Sequence, residues 1–228
     1  MIVIPLVGNS TRFFDAGFTE IKYKLKIGNN KSIIENILKY IPEKENILLI
    51  CNEKYKDKEY LNNLCHKMGF QKFSVVEIND TDGQLTTVEL GLELCQNTCL
   101  DEELWIYNGD TIRKKPFVFE FEGDGMIEVF IEKGTHWSFV DTVGKITNVE
   151  EKVRISRFCC TGLYGFRTTS IFFEYSKKTQ KSKGERYVAP IYKVMLKDKK
   201  HIVSFLSERH NFLLCGTPDE YLETCRNN

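Results

Sequence analysis

The stretch Ile2-Val3-Ile4-Pro5-Leu6-Val7-Gly8-Asn9-Ser10-Thr11-Arg12 decides how this chain is read. A buried-strand pattern runs straight into a turn of small residues that ends on an arginine, and Lys22 stands ten residues further on. Such a turn aims backbone N–H groups past the strand's carboxyl end, and Gly8 and Ser10 let the backbone come close to an oxyanion. Arg12 adds a planar fork of donors and Lys22 a mobile point charge. Together they predict a polyphosphate site at the start of the fold. The pattern is neither a P-loop nor G-x-G-x-x-G, so the rest of the chain has to support it.

With 228 residues, the chain suits one well-packed α/β domain and is short for two. Hydrophobic residues at 42% and charged residues at 28% are ordinary for a globular protein. The formal net charge is zero, which gives no electrostatic case for a nucleic acid or an anionic membrane as partner. Attraction for phosphate must therefore be local. The first core strand starts at the amino terminus, leaving no room for a signal peptide, and no run reaches eighteen apolar residues; the expected location is cytoplasmic. The eight cysteines form no C-x-x-C pair and lack zinc spacing, so they read as small buried hydrophobes in a reducing compartment. The four histidines are scattered, and none is expected to act as a ligand or base.

Apolar runs predict strands at 2–7, 46–51, 73–78 and 104–107. Between them fall helices over 32–41 (capped by Ser32), 54–68 and 84–96, the last opened by Gly83-Gln84. This alternation predicts a parallel sheet covered on both faces. Beyond Asp110 the texture changes to shorter antiparallel strands at 126–131, 138–141 and 145–149, then a strand at 161–166. Helices over 168–178 and 188–197, a strand near 202–206 and a helix from Pro218 close the chain. We read one domain, with a nucleotide-binding half at 1–113 and an acceptor-binding half at 114–228. Ligands of such sheets sit at the carboxyl ends of the strands, which singles out loops 8–22, 79–86 and 108–113.

At these residues the chain resembles the sugar-phosphate nucleotidyltransferases, or nucleoside-diphosphate-sugar pyrophosphorylases. Their opening motif is a strand, G-x-G-T-R, and then P-K at the spacing seen here; Ser10 stands for the second glycine and Ile21 for the proline. Asp82-Gly83-Gln84-Leu85-Thr86-Thr87-Val88 resembles their G-Q-A-x-T-V segment, and Asn108-Gly109-Asp110-Thr111 their strand-end G-D motif. Glu150-Glu151-Lys152 is similar to their E-K element, Thr161-Gly162-Leu163-Tyr164-Gly165-Phe166 to T-G-x-Y-x-F, and Cys215-Gly216-Thr217-Pro218 onward to G-T-P-E-D-Y-L. Glu185 to Tyr192 resembles a branch found in surface-polysaccharide gene clusters. The family's second magnesium aspartate, two residues before the glycine of G-T-P, is Leu214 here, which cannot bind a hard cation.

The resemblance implies a Rossmann-like fold of the glycosyltransferase-A type, with a mainly parallel central sheet and a smaller antiparallel acceptor-binding part. It implies transfer of a nucleoside monophosphate from a nucleoside triphosphate to a sugar 1-phosphate, with release of pyrophosphate and with Mg2+ as cofactor. Arg12, Lys22 and Asp110 would be catalytic, Asp110 also holding the metal. Leu6, Val7, Gly8, Asn9, Ser10, Thr11, Gly83, Gln84 and Asn108 would bind the nucleotide. Glu151, Lys152, Thr161, Gly162 and Tyr192 would meet the acceptor, while Lys24 and Lys26 face solvent. Three alternatives stay open: a cytidylyltransferase for a small non-sugar phosphate, a glycosyltransferase, and a non-catalytic nucleotide-binding module. A homo-oligomer is compatible with the sequence.

Overall fold

Strands without a polar face are stable only inside a sheet covered on both sides. The computed structural model, which describes residues 1–28, 30–182 and 184–227, places the apolar runs there. The first half comprises β1 (Ile2–Leu6), α1 (Thr11–Asp15), the small hairpin β2 (Lys26–Ile27) and β3 (Lys31–Ser32), and α2 (Ile33–Leu38). It continues through β4 (Asn46–Asn52), α3 (Lys58–Lys67), β5 (Lys72–Ile78), α4 (Gln84–Leu94) and β6 (Leu104–Tyr107). Next come β7 (Thr111–Arg113), β8 (Gly125–Ile131), β9 (Ser138–Val140), β10 (Gly144–Lys145), β11 (Val149–Glu151) and β12 (Phe158–Phe166). The chain closes with α5 (Thr169–Lys178), α6 (Pro190–Lys197), β13 (Ile202–Leu206), β14 (Phe212–Leu214) and α7 (Pro218–Arg226).

The central sheet has the order β10-β13-β8-β12-β6-β1-β4-β5. β1 lies between β6 and β4, parallel to both, and β5 extends this parallel block. β12 is antiparallel to both neighbours, so β8 and its parallel partner β13 run with β1 again. The result is a mainly parallel sheet of the expected kind, in a single α/β domain. β9 and β11 add a short antiparallel extension beside β12, and β14 pairs with β7 separately. One apolar layer gathers Ile4, Leu49 and Tyr107 with α2 and α3; the other gathers Val3, Leu48 and Ile106 with α4, α5 and α6. Alternate strand residues supply the two faces, as a pleated strand requires.

Several boundaries differ from the sequence expectation. The helix expected over 54–68 begins at Lys58, because the Asn52 side chain takes the Lys54 N–H and Lys56 adopts a left-handed φ of 54°. Residues 126–131, expected as a short antiparallel strand, lie inside the main sheet, antiparallel to β12 on one side and parallel to β13 on the other. The strand expected over 145–149 is split into β10 and β11, since the Asp141 carboxylate accepts from Thr147 N and Thr147 Oγ1 and folds a turn there. Cys99 is exposed and Cys225 half-buried, while the other six cysteines are buried as expected. Among the described residues, no helix is long and apolar enough to cross a membrane.

Local choices agree with the global fold. Ser32 Oγ accepts from Glu35 N and Glu35 Oε2 from Ser32 N, closing a capping box on α2; Thr217 and Glu220 do the same for α7. Glu128 is fully buried and accepts from the Arg113 guanidinium, Thr161 Oγ1 (2.7 Å) and Ser207 Oγ (2.6 Å), which ties β7, β12 and the segment after β13 together. A buried carboxylate needs that many partners to offset its lost hydration.

Candidate active site

The carboxyl ends of β1 and β6 open into a cleft of about 730 Å³. Its floor is the turn after β1. Ser10, in a left-handed conformation (φ 54°), is the residue before α1, and its carbonyl accepts from Phe13 N (2.8 Å) and Phe14 N (3.1 Å). Among the described residues, no protein acceptor takes the N–H groups of Gly8, Asn9 or Ser10. Gly8 has no atom within 4 Å of where a Cβ would stand, so the turn faces open space.

Asp110 comes from the turn after β6. Gly109 packs so closely on β1 that a Cβ would lie 2.5 Å from Leu6 Cδ2. The buried Tyr107 hydroxyl donates to Thr111 O (2.6 Å), and Cys215 N donates to Asp110 O (2.9 Å). Lys22 Nζ lies 2.8 Å from Asp110 Oδ2, with both side chains about a quarter exposed. Two residues 88 apart in sequence thus meet over the floor of the cleft. Arg12 is exposed on the cleft wall and pairs with no carboxylate among the described residues.

Gln84 and Asn108 are joined by a 2.6 Å hydrogen bond from Gln84 Nε2 to Asn108 Oδ1. Asn108 N donates to Gly162 O (3.0 Å), and a Cβ on Gly162 would come within 2.5 Å of Asn108 Cγ. Gly83 has φ 142° and leaves a Cβ only 2.4 Å from Arg186 O, so only glycine fits. Arg186 pairs with Glu89, and its backbone bonds both Asp82 O and Leu85 N, pinning the 185–191 segment onto the start of α4. The Asn52 amide beside Asp80 holds that carboxyl below the usual range, and Lys181 with Thr86 does so for Asp82. Burial pushes the Cys215 thiol up to about 12, with the Asp110 charge adding to it.

Of the expected acceptor residues, Glu151 and Lys152 line the cleft. Ser138 Oγ donates to Glu151, and Lys152 Nζ sits over the Tyr187 ring, 4.4 Å from its centroid. Of the other three, Thr161 also lines the cleft, whereas Tyr192 and Gly162 do not. Tyr192 is fully buried in the core with its hydroxyl on Gly165 O (3.0 Å), because α6 turns that face inward. Thr161 is 2% exposed and spends its hydroxyl on Glu128. Gly162, at φ 94° in a bulge of β12, supports Asn108 from behind. Lys24 is half-buried on Asp57 rather than in solvent, whereas Lys26 is exposed.

Sequence reasoning missed His136, Trp137, Tyr187 and Glu220, all in the cleft wall. His136 packs against Trp137 with the rings tilted by 39° (4.4 Å between centroids) and lies 3.7 Å from Glu220, which bridges the β8–β9 loop to α7. A methyl placed on Gly216 would lie 3.1 Å from Glu220 Oε2 and 3.5 Å from Asp110 Oδ2, so these two carboxylates flank one spot. Leu214 is buried on β14, opposite Thr111, and takes the place of the family's second acidic ligand. Acidic side chains outnumber basic ones along the wall, so a bound triphosphate would need a cation beside it. Asp110, open to the cleft, would hold a magnesium ion shared with the phosphates of a bound nucleotide, while the nearby Glu220 already accepts from Thr217 N at the start of α7. Among the described residues, no group of three His, Cys, Asp or Glu side chains could hold a metal alone.

A mainly parallel α/β sheet, a turn of open N–H groups and a lysine–carboxylate pair at its strand ends define a phosphate-handling enzyme of the nucleotidyltransferase kind. The chain is 31% identical to the nucleoside-diphosphate-sugar pyrophosphorylase from Vibrio cholerae RC9, with a TM-score of 0.91 over 99% of this chain and 100% of that one. It belongs to the nucleoside-diphosphate-sugar pyrophosphorylase family. A UDP-glucose pyrophosphorylase complexed with UDP-glucose shares the fold at 15% identity, with a TM-score of 0.73 over 99% of this chain and 97% of that one. So does the inositol-1-phosphate CTP transferase from T. maritima, at 12% identity and a TM-score of 0.72 over 96% and 90%. No protein-family model matches the chain, and no match is found among curated proteins.

Proposed function

We propose that the protein transfers a nucleoside monophosphate from a nucleoside triphosphate to a sugar 1-phosphate and releases pyrophosphate, supplying a precursor of a surface polysaccharide. The observation that carries this reading is the Lys22–Asp110 pair, 2.8 Å apart, at the mouth of the open turn after β1. A phosphate oxygen of the acceptor attacks the α-phosphorus, the bond from that phosphorus to the β-phosphate's bridging oxygen breaks, and pyrophosphate leaves with the electron pair. The attacking oxygen is already anionic, so no general base is required. The barrier is mutual repulsion of the anions and charge growing on the leaving group.

The turn N–H groups and Arg12 neutralise the leaving β- and γ-phosphates, and Lys22 bridges the α-phosphate and the incoming phosphate. Gln84 and Asn108, joined as one amide unit, face the nucleoside. Residues 1–113 thus serve mainly the nucleotide and 114–228 mainly the acceptor, which Lys152 and Glu151 meet. Magnesium held by Asp110 and the triphosphate would supply further charge neutralisation.

The test is a matrix of four nucleoside triphosphates against sugar 1-phosphates and small non-sugar phosphates, read by pyrophosphate release. Release dependent on one sugar 1-phosphate supports the reading. Release only with a non-sugar phosphate replaces the acceptor, and transfer of sugar from a nucleotide sugar without pyrophosphate makes the protein a glycosyltransferase.

A further inference from the structure

We infer that Ser10 is a positioning residue for Lys22, fixing the lysine through its backbone rather than contacting substrate with its hydroxyl. The inference rests on the role given to Lys22 above. Ser10 stands where a helix-capping serine would be, yet its side chain caps nothing in α1. Its left-handed backbone turns the hydroxyl away, and Ser10 Oγ accepts from Lys22 N at 3.0 Å. That N–H opens the short 3-10 turn Lys22–Lys24 and would otherwise be one of its unsatisfied donors. The same turn carries Lys22 Nζ to Asp110, while Lys24 N and Leu25 N close it on Ile21 O and Lys22 O.

The conformation of Ser10 is unfavourable for any residue with a Cβ, so the fold retains a strained residue where glycine would be relaxed. Directly before the lysine, Ile21 has φ −63°, the value that a proline ring would impose, with an extended ψ of 142°. Ile21 lacks that ring, so something else must hold the turn. The hydroxyl of Ser10 does so from across the loop. A glycine at 10 would relax the strain and release Lys22 N, leaving the turn held by its own two hydrogen bonds.

Two variants and their combination test this: Ser10→Gly, Ile21→Pro and Ser10→Gly/Ile21→Pro. A purely structural serine predicts that Ser10→Gly changes stability and nothing else. A positioning serine predicts an unchanged or higher Tm with kcat down ~10-fold or more and KM little altered, since a catalytic group misplaced by ~1 Å can cost ~100-fold. Proline at 21 should restore kcat in the Ser10→Gly background. It removes the buried Ile21 side chain, so its own Tm cost is subtracted by measuring Ile21→Pro alone.

Acylation of Lys22 by acetic anhydride, mapped by mass spectrometry on the folded proteins, needs no turnover. Lys22 should react faster in Ser10→Gly than in the original protein and slowly again in the double variant. Equal labelling in the original protein and Ser10→Gly overturns the inference whatever the assay shows. Faster labelling with no pyrophosphate release by the original protein overturns the substrate reading and leaves the positioning role standing.

Discussion

Replacing Lys22 by methionine removes one charge from the cleft while keeping an unbranched side chain. The structure sets different sizes for its two consequences. Lys22 Nζ and Asp110 Oδ2 are 2.8 Å apart, but their side chains are 23% and 28% exposed. Water screens the pair and can solvate Asp110 once the lysine is gone, so the stability cost is about 1 kcal/mol or less. For a domain of this size that lowers Tm by roughly 2–4 °C. During reaction the same ammonium faces charge that exists only in the transition state, where one preorganised donor contributes about 2.7–4 kcal/mol, or ~100- to 1,000-fold in turnover. Pyrophosphate release at saturating substrates gives kcat, and a circular-dichroism melt gives Tm on the same samples. Retention of kcat within about three-fold would remove Lys22 from the mechanism. A melt lowered by ~10 °C or more would instead show that the lysine holds the fold, and the loss of activity would carry no mechanistic weight.

Other outcomes follow from the same geometry. Magnesium should bind the free protein weakly, because Lys22 occupies Asp110 and Leu214 offers no oxygen; calorimetry should show little heat with magnesium alone and clear enhancement of nucleotide binding. Tight stoichiometric binding without nucleotide would reveal a carboxylate set we have not identified. Gly162→Ala drives a Cβ to within 2.5 Å of Asn108 Cγ at φ 94°, so it should cost about 1–3 kcal/mol in urea unfolding and weaken nucleotide binding; an unchanged midpoint would refute the constraint. Burial raises the Cys51, Cys65 and Cys215 thiols from an ordinary 9.0 to about 12. Thiols raised in the folded state contribute fully below pH ~9 and lose that contribution as pH climbs toward ~12, so urea midpoints should fall above pH ~9. Midpoints flat to pH ~11 would show that these thiols titrate alike in both states.

Much of the fold was legible because the buried strands are continuous apolar runs and the helices between them carry local caps, such as Ser32 with Glu35. A helix start and a strand were misread where side chains competed with backbone periodicity, as Asn52 does before α3 and Asp141 does between β10 and β11. At the floor of the cleft, Lys22 was readable from its spacing to the turn ending at Arg12, and Asp110 from the Asn108-Gly109 turn directly before it. The acceptor end was legible only in part, since Glu151, Lys152 and Thr161 line the cleft but Tyr192 and Gly162 do not. Tyr192 looks like a site residue in its motif, but its place on α6 points it into the core. His136 and Trp137 sit in a loop without periodicity and reach the cleft only because β12 and β9 pair there. Ser10 and Lys22 belong to the same opening motif, but spacing alone does not show that they touch; the three-dimensional turn reveals it.

The central claim is that the bond broken lies between the α- and β-phosphates and that the α-phosphoryl group moves. The most direct measurement supplies the triphosphate labelled separately at its α- and γ-phosphorus, together with the acceptor that gives turnover. The account predicts α-label in the nucleotide sugar, γ-label wholly in pyrophosphate, and no labelled inorganic phosphate. Label from the γ-position in the acceptor product, or γ-label released as orthophosphate in step with turnover, would contradict it.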